Sequence, residues 1–186
     1  MKVKICGLTR AEDARRAAEL GADALGFVVT PGLARSVDPA RVPDLVASGP
    51  QPVLVFRVPT VDEIGRAVTL SGVGVVQLHR ATADVVRAAR DLARVVVAYE
   101  QLIPGTEAEP TLVDSGAGGT GVPFDWRELA PRAPAWTWIA GGIDPDNVLA
   151  LLRYQPWGID VSSGVESAPG VKDPQRMSQL FARCAS

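Results

Sequence analysis

Eight short apolar runs alternate with stretches that carry helix-start signals along this 186-residue chain, and that alternation limits its fold more than any other feature. The runs are Val3–Cys6, Ala24–Val28, Val53–Phe56, Val75–His79, Val95–Ala98, Thr111–Asp114, Thr137–Ala140 and Ile159–Val161. Continuous apolar runs of this length suit parallel strands that are buried on both faces. Parallel neighbours need a crossover between them, usually a helix. Eight such strands can close on themselves, so the pattern predicts an α/β fold, a compact (β/α)8 TIM barrel. A flavodoxin-like doubly wound sheet is the alternative. It normally has five or six strands, so the count favours the barrel.

The crossovers are marked residue by residue. Thr9-Arg10-Ala11-Glu12 and Thr60-Val61-Asp62-Glu63 have capping-box spacing, in which a hydroxyl and a carboxylate satisfy orphan backbone N–H groups. Asp38-Pro39, Asp144-Pro145 and Asp173-Pro174 each place an acid before a proline at the first helical position. Gly21 reads as a helix stop. Helices are expected near 10–20, 39–47, 61–70, 83–92, 125–130, 145–153 and 174–184. One unit departs from the rule. Pro104 and Gly105 interrupt the segment between Ala98 and Thr111, so helix 5 of the barrel is expected to be missing or reduced. No linker or low-complexity segment appears, and residues 1–186 read as a single barrel domain.

Composition excludes several classes of function. The chain is 47% hydrophobic and 22% charged with a net charge of −2, and its basic residues are dispersed. A nucleic-acid surface is therefore not expected. No apolar run approaches the ~18 residues of a membrane span, and the N-terminus reads as a strand rather than a signal segment. Cys6 and Cys184 are the only cysteines and His79 the only histidine, too few for a disulfide framework or a zinc site. A reducing, cytoplasmic setting is expected, with Cys6 a free thiol.

Two late strands end in glycine-rich turns, Ala140-Gly141-Gly142-Ile143 and Asp160-Val161-Ser162-Ser163-Gly164. Glycines let backbone approach a ligand closely, and the N–H groups of such turns hold anions. On successive late strands of a barrel they form a phosphate site, so a phosphate ester is the expected substrate. Function in such a barrel sits where strands end. Those positions hold Cys6, Pro31 to Arg35, Arg57, Gln77, His79, Asp114, Gly118 to Gly121, Gly141-Gly142 and Ser162 to Gly164. Cys6 is either a small buried hydrophobe or a thiolate base or nucleophile, and the second role needs a lowered pKa, from a nearby cation or from helix N-termini. Asp114 is either a cap for its loop or a general acid. Together they suit acid–base isomerisation.

The chain also resembles the phosphoribosylanthranilate isomerase family of tryptophan biosynthesis. Lys4-Ile5-Cys6-Gly7-Leu8-Thr9-Arg10 matches its opening, followed by Gly26-Phe27-Val28 with Pro31 and Arg35, Gln77-Leu78-His79 and Asp114-Ser115. Gly118-Gly119-Thr120-Gly121 with Phe124-Asp125-Trp126, the two late glycine turns with Asn147, and Val165-Glu166, Pro169-Gly170 and Lys172-Asp173 complete an ordered set. The resemblance implies a barrel with a degraded fifth helix, Cys6 as general base, Asp114 as general acid, and Arg35 against the anthranilate carboxylate. Phosphate would rest on the backbone of Gly119, Gly141, Gly142, Ser163 and Gly164, with Ser162 beside them. The implied partner is a small phosphoribosyl substrate, with no cofactor; nothing decides between a monomer and a homodimer. Three positions depart from the family pattern. Leu33 and Ala34 stand where a serine and a proline are usual, and Arg80 replaces the glycine after His79. His79 is expected to be a hydrogen-bonded strand-end residue, and Trp126, Trp136, Trp138 and Trp157 packing residues. Two rivals remain. One is a histidine-pathway sister isomerase, which carries an aspartate at the first strand end; the other is a non-catalytic phosphate-binding barrel.

Overall fold

The structure is a computed structural model and describes residues 1–101, 110–114 and 130–185. Eight parallel strands form a closed barrel in sequence order: β1 (Lys2–Ile5), β2 (Ala24–Val28), β3 (Gln51–Arg57), β4 (Val75–His79), β5 (Arg94–Tyr99), β6 (Thr111–Val113), β7 (Thr137–Ile139) and β8 (Gly158–Val161). All eight coincide with the predicted runs. The barrel shuts through β1 and β8, with Lys4 opposite Asp160 and Ile5 opposite Val161.

Side chains alternate between two cores, as the period of a strand requires. Leu25, Phe27, Leu54, Phe56, Val76, Leu78, Ile139 and Ile159 point outward to the helices. Ala24, Val53, Val55, Val75, Val96, Leu112 and Trp138 fill the interior. Both sets are apolar, which is why the strands read as continuous runs. Leu25, Leu54 and Ile139 are wholly buried, each contributing about 1.5–3 kcal/mol by leaving water. At the closed end, Trp138 meets Trp157 edge-on with ring centroids 4.9 Å apart, and Trp136 lies 5.7 Å from Trp157. Trp138 and Trp157 pack, as expected; Trp136 only leans on Trp157 and is half exposed, and Trp126 lies outside the described residues.

The described helices are α1 (Ala11–Glu19), α2 (Val42–Leu45), α3 (Val61–Ser71), α4 (Ala83–Ala89), α5 (Val148–Leu152) and α6 (Pro174–Cys184). Thr60 and Glu63 form the predicted capping box at α3. Asp173 accepts from the N–H groups of Gln175 and Arg176 at α6, and Asp38 from Ala40. Asp144 accepts from Asp146 and Asn147, but α5 starts only at Val148. The box expected at Thr9 does not form. Arg10 is the N-cap, and the Thr9 hydroxyl donates to the Gly170 carbonyl 161 positions away. Tertiary competition for one hydroxyl thus overrides a local signal. The segments expected to lack helix 5 and to carry the 125–130 helix fall mostly outside the described residues.

One element had no signal in the apolar pattern. After β8 comes a 3-10 turn (Ser163–Val165), then an antiparallel hairpin of β9 (Glu166–Ala168) and β10 (Val171–Lys172). Pro169-Gly170 makes its turn, with Gly170 at φ 81°, as a type II turn needs.

Candidate active site

The inward face of each strand continues past the apolar interior to its C-terminal end, and there it turns polar. One pocket at that end is lined by Cys6, Arg35, Asp114, Gly141, Gly142, Ser162 and Ser163, which brings together seven of the nine predicted site residues. Gly164 follows Ser163 in the 3-10 turn, just behind the lining. Gly119 lies outside the described residues.

The glycine corner is built by backbone packing. Gly141 and Gly142 both sit in the left-handed region, at φ 94° and 64°, where a side chain is strained. A Cβ on Gly164 would lie 1.9 Å from the Ile143 carbonyl oxygen, so the two late loops touch backbone to backbone. Asn147 braces the first loop, donating to Gly142 O at 2.7 Å and accepting from Asp144 N at 2.9 Å. Arg176 braces the second by donating to Gly164 O at 2.9 Å. The corner is therefore set before any ligand arrives, and it offers backbone to an anion.

Cys6 is buried at the end of β1. Its expected cation is present, but it comes from a residue that the sequence reading did not single out. Lys4, two positions earlier and inward-facing, is 1% exposed and donates to Asp160 Oδ2 at 2.8 Å. A Cβ on Gly26 would lie 2.8 Å from Cys6 Sγ and 3.0 Å from Lys4 Nζ, so the glycine makes the room in which sulfur and ammonium converge. Burial raises the Cys6 thiol, Lys4 and Lys172 pull it down, and Asp160 pushes it up. The net result stands above the usual thiol range, not below it as expected for a thiolate, because desolvation outweighs the cations. Burial works against the Lys4 charge as well, but Asp160 and Cys6 outweigh it and hold the ammonium above its ordinary range.

Arg35 reaches the pocket already engaged. Its Nε and Nη2 donate to the two carboxylate oxygens of Glu166 at 2.9 and 2.7 Å, leaving Nη1 without a protein partner among the described residues. Glu166 also accepts from Lys172 Nζ at 2.7 Å and from Gly170 N at 3.3 Å. Burial opposes the Glu166 charge, yet Arg35 and Lys172 hold its carboxyl below the usual range. Burial lowers the Lys172 ammonium despite Glu166. The loop that carries Leu33 and Ala34 is pinned by Ser36. Its hydroxyl donates to the Thr30 carbonyl and accepts from Leu33 N, and Val37 N bonds back to Val28 O at 2.8 Å. The two departures thus leave Arg35 facing the pocket.

His79 lies 2.7 Å from the Gln77 amide, the strand-end hydrogen bond expected for it. Burial and the nearby Lys4 charge push the imidazole down to about 4, so it is neutral near pH 7. Arg80 sits at the rim and pairs with Glu100 at 2.7 Å. Lys4, Asp160, Glu166 and Lys172 were missed as site residues. A signal existed for two of them. Lys4 and Asp160 are single opposite charges inside apolar runs, on the same strand face as Cys6 and Ser162. Among the described residues, no group of three or more His, Cys, Asp or Glu is placed to hold a metal ion.

Comparison with known proteins agrees with this geometry. The family model for N-(5′-phosphoribosyl)anthranilate isomerase matches residues 3–183. The isomerase of that name from Magnetococcus marinus is 39% identical over 204 residues, spanning 98% of this chain and 94% of the relative. The crystal structure of phosphoribosyl anthranilate isomerase from Thermus thermophilus superposes with a TM-score of 0.89 at 34% identity, covering 100% of this chain and 98% of that one. A phosphoribosyl anthranilate isomerase solved with reduced 1-(o-carboxyphenylamino)-1-deoxyribulose 5-phosphate has a TM-score of 0.84 at 27% identity, covering 100% and 98%. A closed barrel with its polar end at the strand C-termini, and a match that runs from the first strand into the last helix, make the chain a member of the N-(5′-phosphoribosyl)anthranilate isomerase family.

Proposed function

We propose that the chain converts N-(5-phosphoribosyl)anthranilate to 1-(2-carboxyphenylamino)-1-deoxyribulose 5-phosphate, an Amadori rearrangement in tryptophan biosynthesis, acting as one barrel in the cytoplasm. Asp114 protonates the furanose ring oxygen. The C1′–O bond breaks, and the anilino nitrogen lone pair forms the C1′=N iminium. Cys6 thiolate then takes the proton from C2′, and the C–H electron pair becomes the C1′=C2′ bond of an enolamine while the iminium nitrogen is neutralised. Ketonisation moves the C2′ hydroxyl proton off and protonates C1′. The iminium is the electron sink, so this chemistry calls for no cofactor.

The observation that carries the reading is the pairing, in one pocket, of Cys6 and Asp114 with the glycine corner. Anchoring phosphate there fixes the sugar against both groups. A thiol that burial holds high is sparsely ionised, but once ionised it is a stronger proton acceptor. Lys4 supplies the positive charge that the thiolate needs. Arg35 Nη1 remains for the anthranilate carboxylate. The histidine-pathway sister is disfavoured because Cys6 stands where that enzyme has an aspartate.

Loss of anthranilate fluorescence when the protein is added to the substrate tests the reaction directly. Asp114→Asn is expected to lower kcat by roughly 10²-fold or more with little change in KM. Cys6→Ser is expected to abolish turnover while still binding a product analogue, since a hydroxyl is a far weaker base. Near-normal kcat in either folded variant refutes that residue's role, and normal turnover with early melting would make the thiol structural.

A further inference from the structure

Asp160 holds an acceptor that the mechanism above does not use. The residue is 7% exposed and inward-facing on β8. Its Oδ2 accepts from Lys4 Nζ at 2.8 Å. Its Oδ1 is buried without a hydrogen-bond partner among the described residues, although Asp160 lines the pocket. A desolvated acceptor left unpaired is costly, and more so when charged. Such a group persists where an arriving donor satisfies it.

The barrel register says which part of a ligand meets it. Lys4 pairs with Asp160 across β1 and β8, and Cys6 N bonds to Val161 O at 2.9 Å. Asp160 therefore sits beside Cys6 on the adjacent strand, one step deeper than Cys6 and Ser162. Lys4 holds Oδ2, which leaves Oδ1 as the carboxylate oxygen open to a further donor. On the proposed substrate, the proton removed by Cys6 and a hydroxyl share one carbon, C2′. Presenting that C–H to the sulfur brings its hydroxyl to the neighbouring floor. The other orphaned acceptor, Gln77 Oε1, is a neutral amide on β4, three strands from β1. A carboxylate makes the stronger hydrogen bond, and only Asp160 adjoins the base.

We propose that Asp160 is a substrate-contacting group, whose Oδ1 accepts a hydrogen bond from the sugar hydroxyl on the carbon that Cys6 deprotonates. This rests on the isomerase reading above. The contact fixes rotation about C2′ so that its hydrogen faces Sγ, and Lys4 serves both the carboxylate and the thiolate.

The test uses two probes on the full chain. One is reduced 1-(o-carboxyphenylamino)-1-deoxyribulose 5-phosphate, which carries a C2′ hydroxyl. The other is the same molecule lacking that hydroxyl. The unaltered protein is expected to bind the first about tenfold or more tightly than the second, as for a hydrogen bond to a charged group. Asp160→Asn should bring that ratio to within a few-fold of one. The double variant Lys4→Met with Asp160→Leu, which removes both buried charges together, should do the same if Asp160→Asn folds poorly. A merely structural Asp160 would weaken both probes equally and leave the ratio unchanged, which overturns the proposal. So does an unaltered protein that isomerises the substrate yet binds both probes alike. A protein that neither isomerises the substrate nor binds either probe overturns the isomerase reading instead.

Discussion

Gly164→Ala should disable the glycine corner proposed to hold phosphate while leaving the barrel standing. The added Cβ would lie 1.9 Å from Ile143 O and 2.8 Å from both Ile143 C and Asp144 Cβ. Two of these are backbone atoms and cannot swing away. Restoring ordinary contact needs a separation of roughly 1.5 Å between the loops after β7 and β8. Overpacking of this kind costs about 1–3 kcal/mol, or roughly 4–12 °C in Tm at the upper half of that range for a chain this long. The functional cost is larger, because misplacing a binding loop by about 1 Å can cost ~10²-fold in rate. The expected result is a folded protein whose kcat/KM falls about 10²-fold, mostly through weaker binding of phosphate-bearing ligands. Gly65→Ala is the control. It lies within α3, and its new Cβ would find only Leu92 Cδ1, at 3.7 Å. There alanine should stabilise by about 0.5–1 kcal/mol through helix propensity and leave kinetics untouched. Steady-state kinetics and thermal melts on both variants decide. A Gly164→Ala protein with normal KM and Tm would refute the claim that the two loops are held in backbone contact.

Two more outcomes follow from the charged groups. Arg35→Ala should raise KM by about 1.5–3 kcal/mol, as for a lost hydrogen bond to a charge. Arg35→Lys should recover only part of that, because one ammonium cannot hold Glu166 bidentately and also reach the ligand; an unchanged KM would point to Arg57 or Arg80 as the carboxylate partner. The His79 value of about 4 in the folded state lies below the ordinary imidazole value of ~6.5. The unfolded chain therefore takes up a proton first as pH falls, and stability should drop between about pH 6.5 and pH 4. Melting curves across that range should show the loss, and His79→Gln should flatten it; equal slopes in both proteins would assign the acid sensitivity elsewhere.

Local chemistry along the chain was enough to give the architecture. Eight apolar runs, each buried on two faces, have few solutions besides a closed parallel barrel. A barrel gathers its strand ends around one pocket, so the meeting there of Cys6, Asp114 and both glycine turns was legible without any contact being known. The limits lie where a side chain answers to something distant. Thr9 carries a capping-box signature but spends its hydroxyl on Gly170, across 161 positions. Arg35 was legible as a cation at the pocket, while its fork is half occupied by Glu166, 131 positions away on a hairpin with no apolar signature. Lys4 and Asp160 are 156 positions apart and meet only because β1 closes on β8. The state of the Cys6 sulfur depends on that closure too, since its burial and the Asp160 carboxylate that holds its neighbour Lys4 are products of the closed barrel. Strand and helix periods are local and can be read along the chain. Which charges pair, and how strongly a thiol is ionised, are set by desolvation and by neighbours that only the closed barrel brings together.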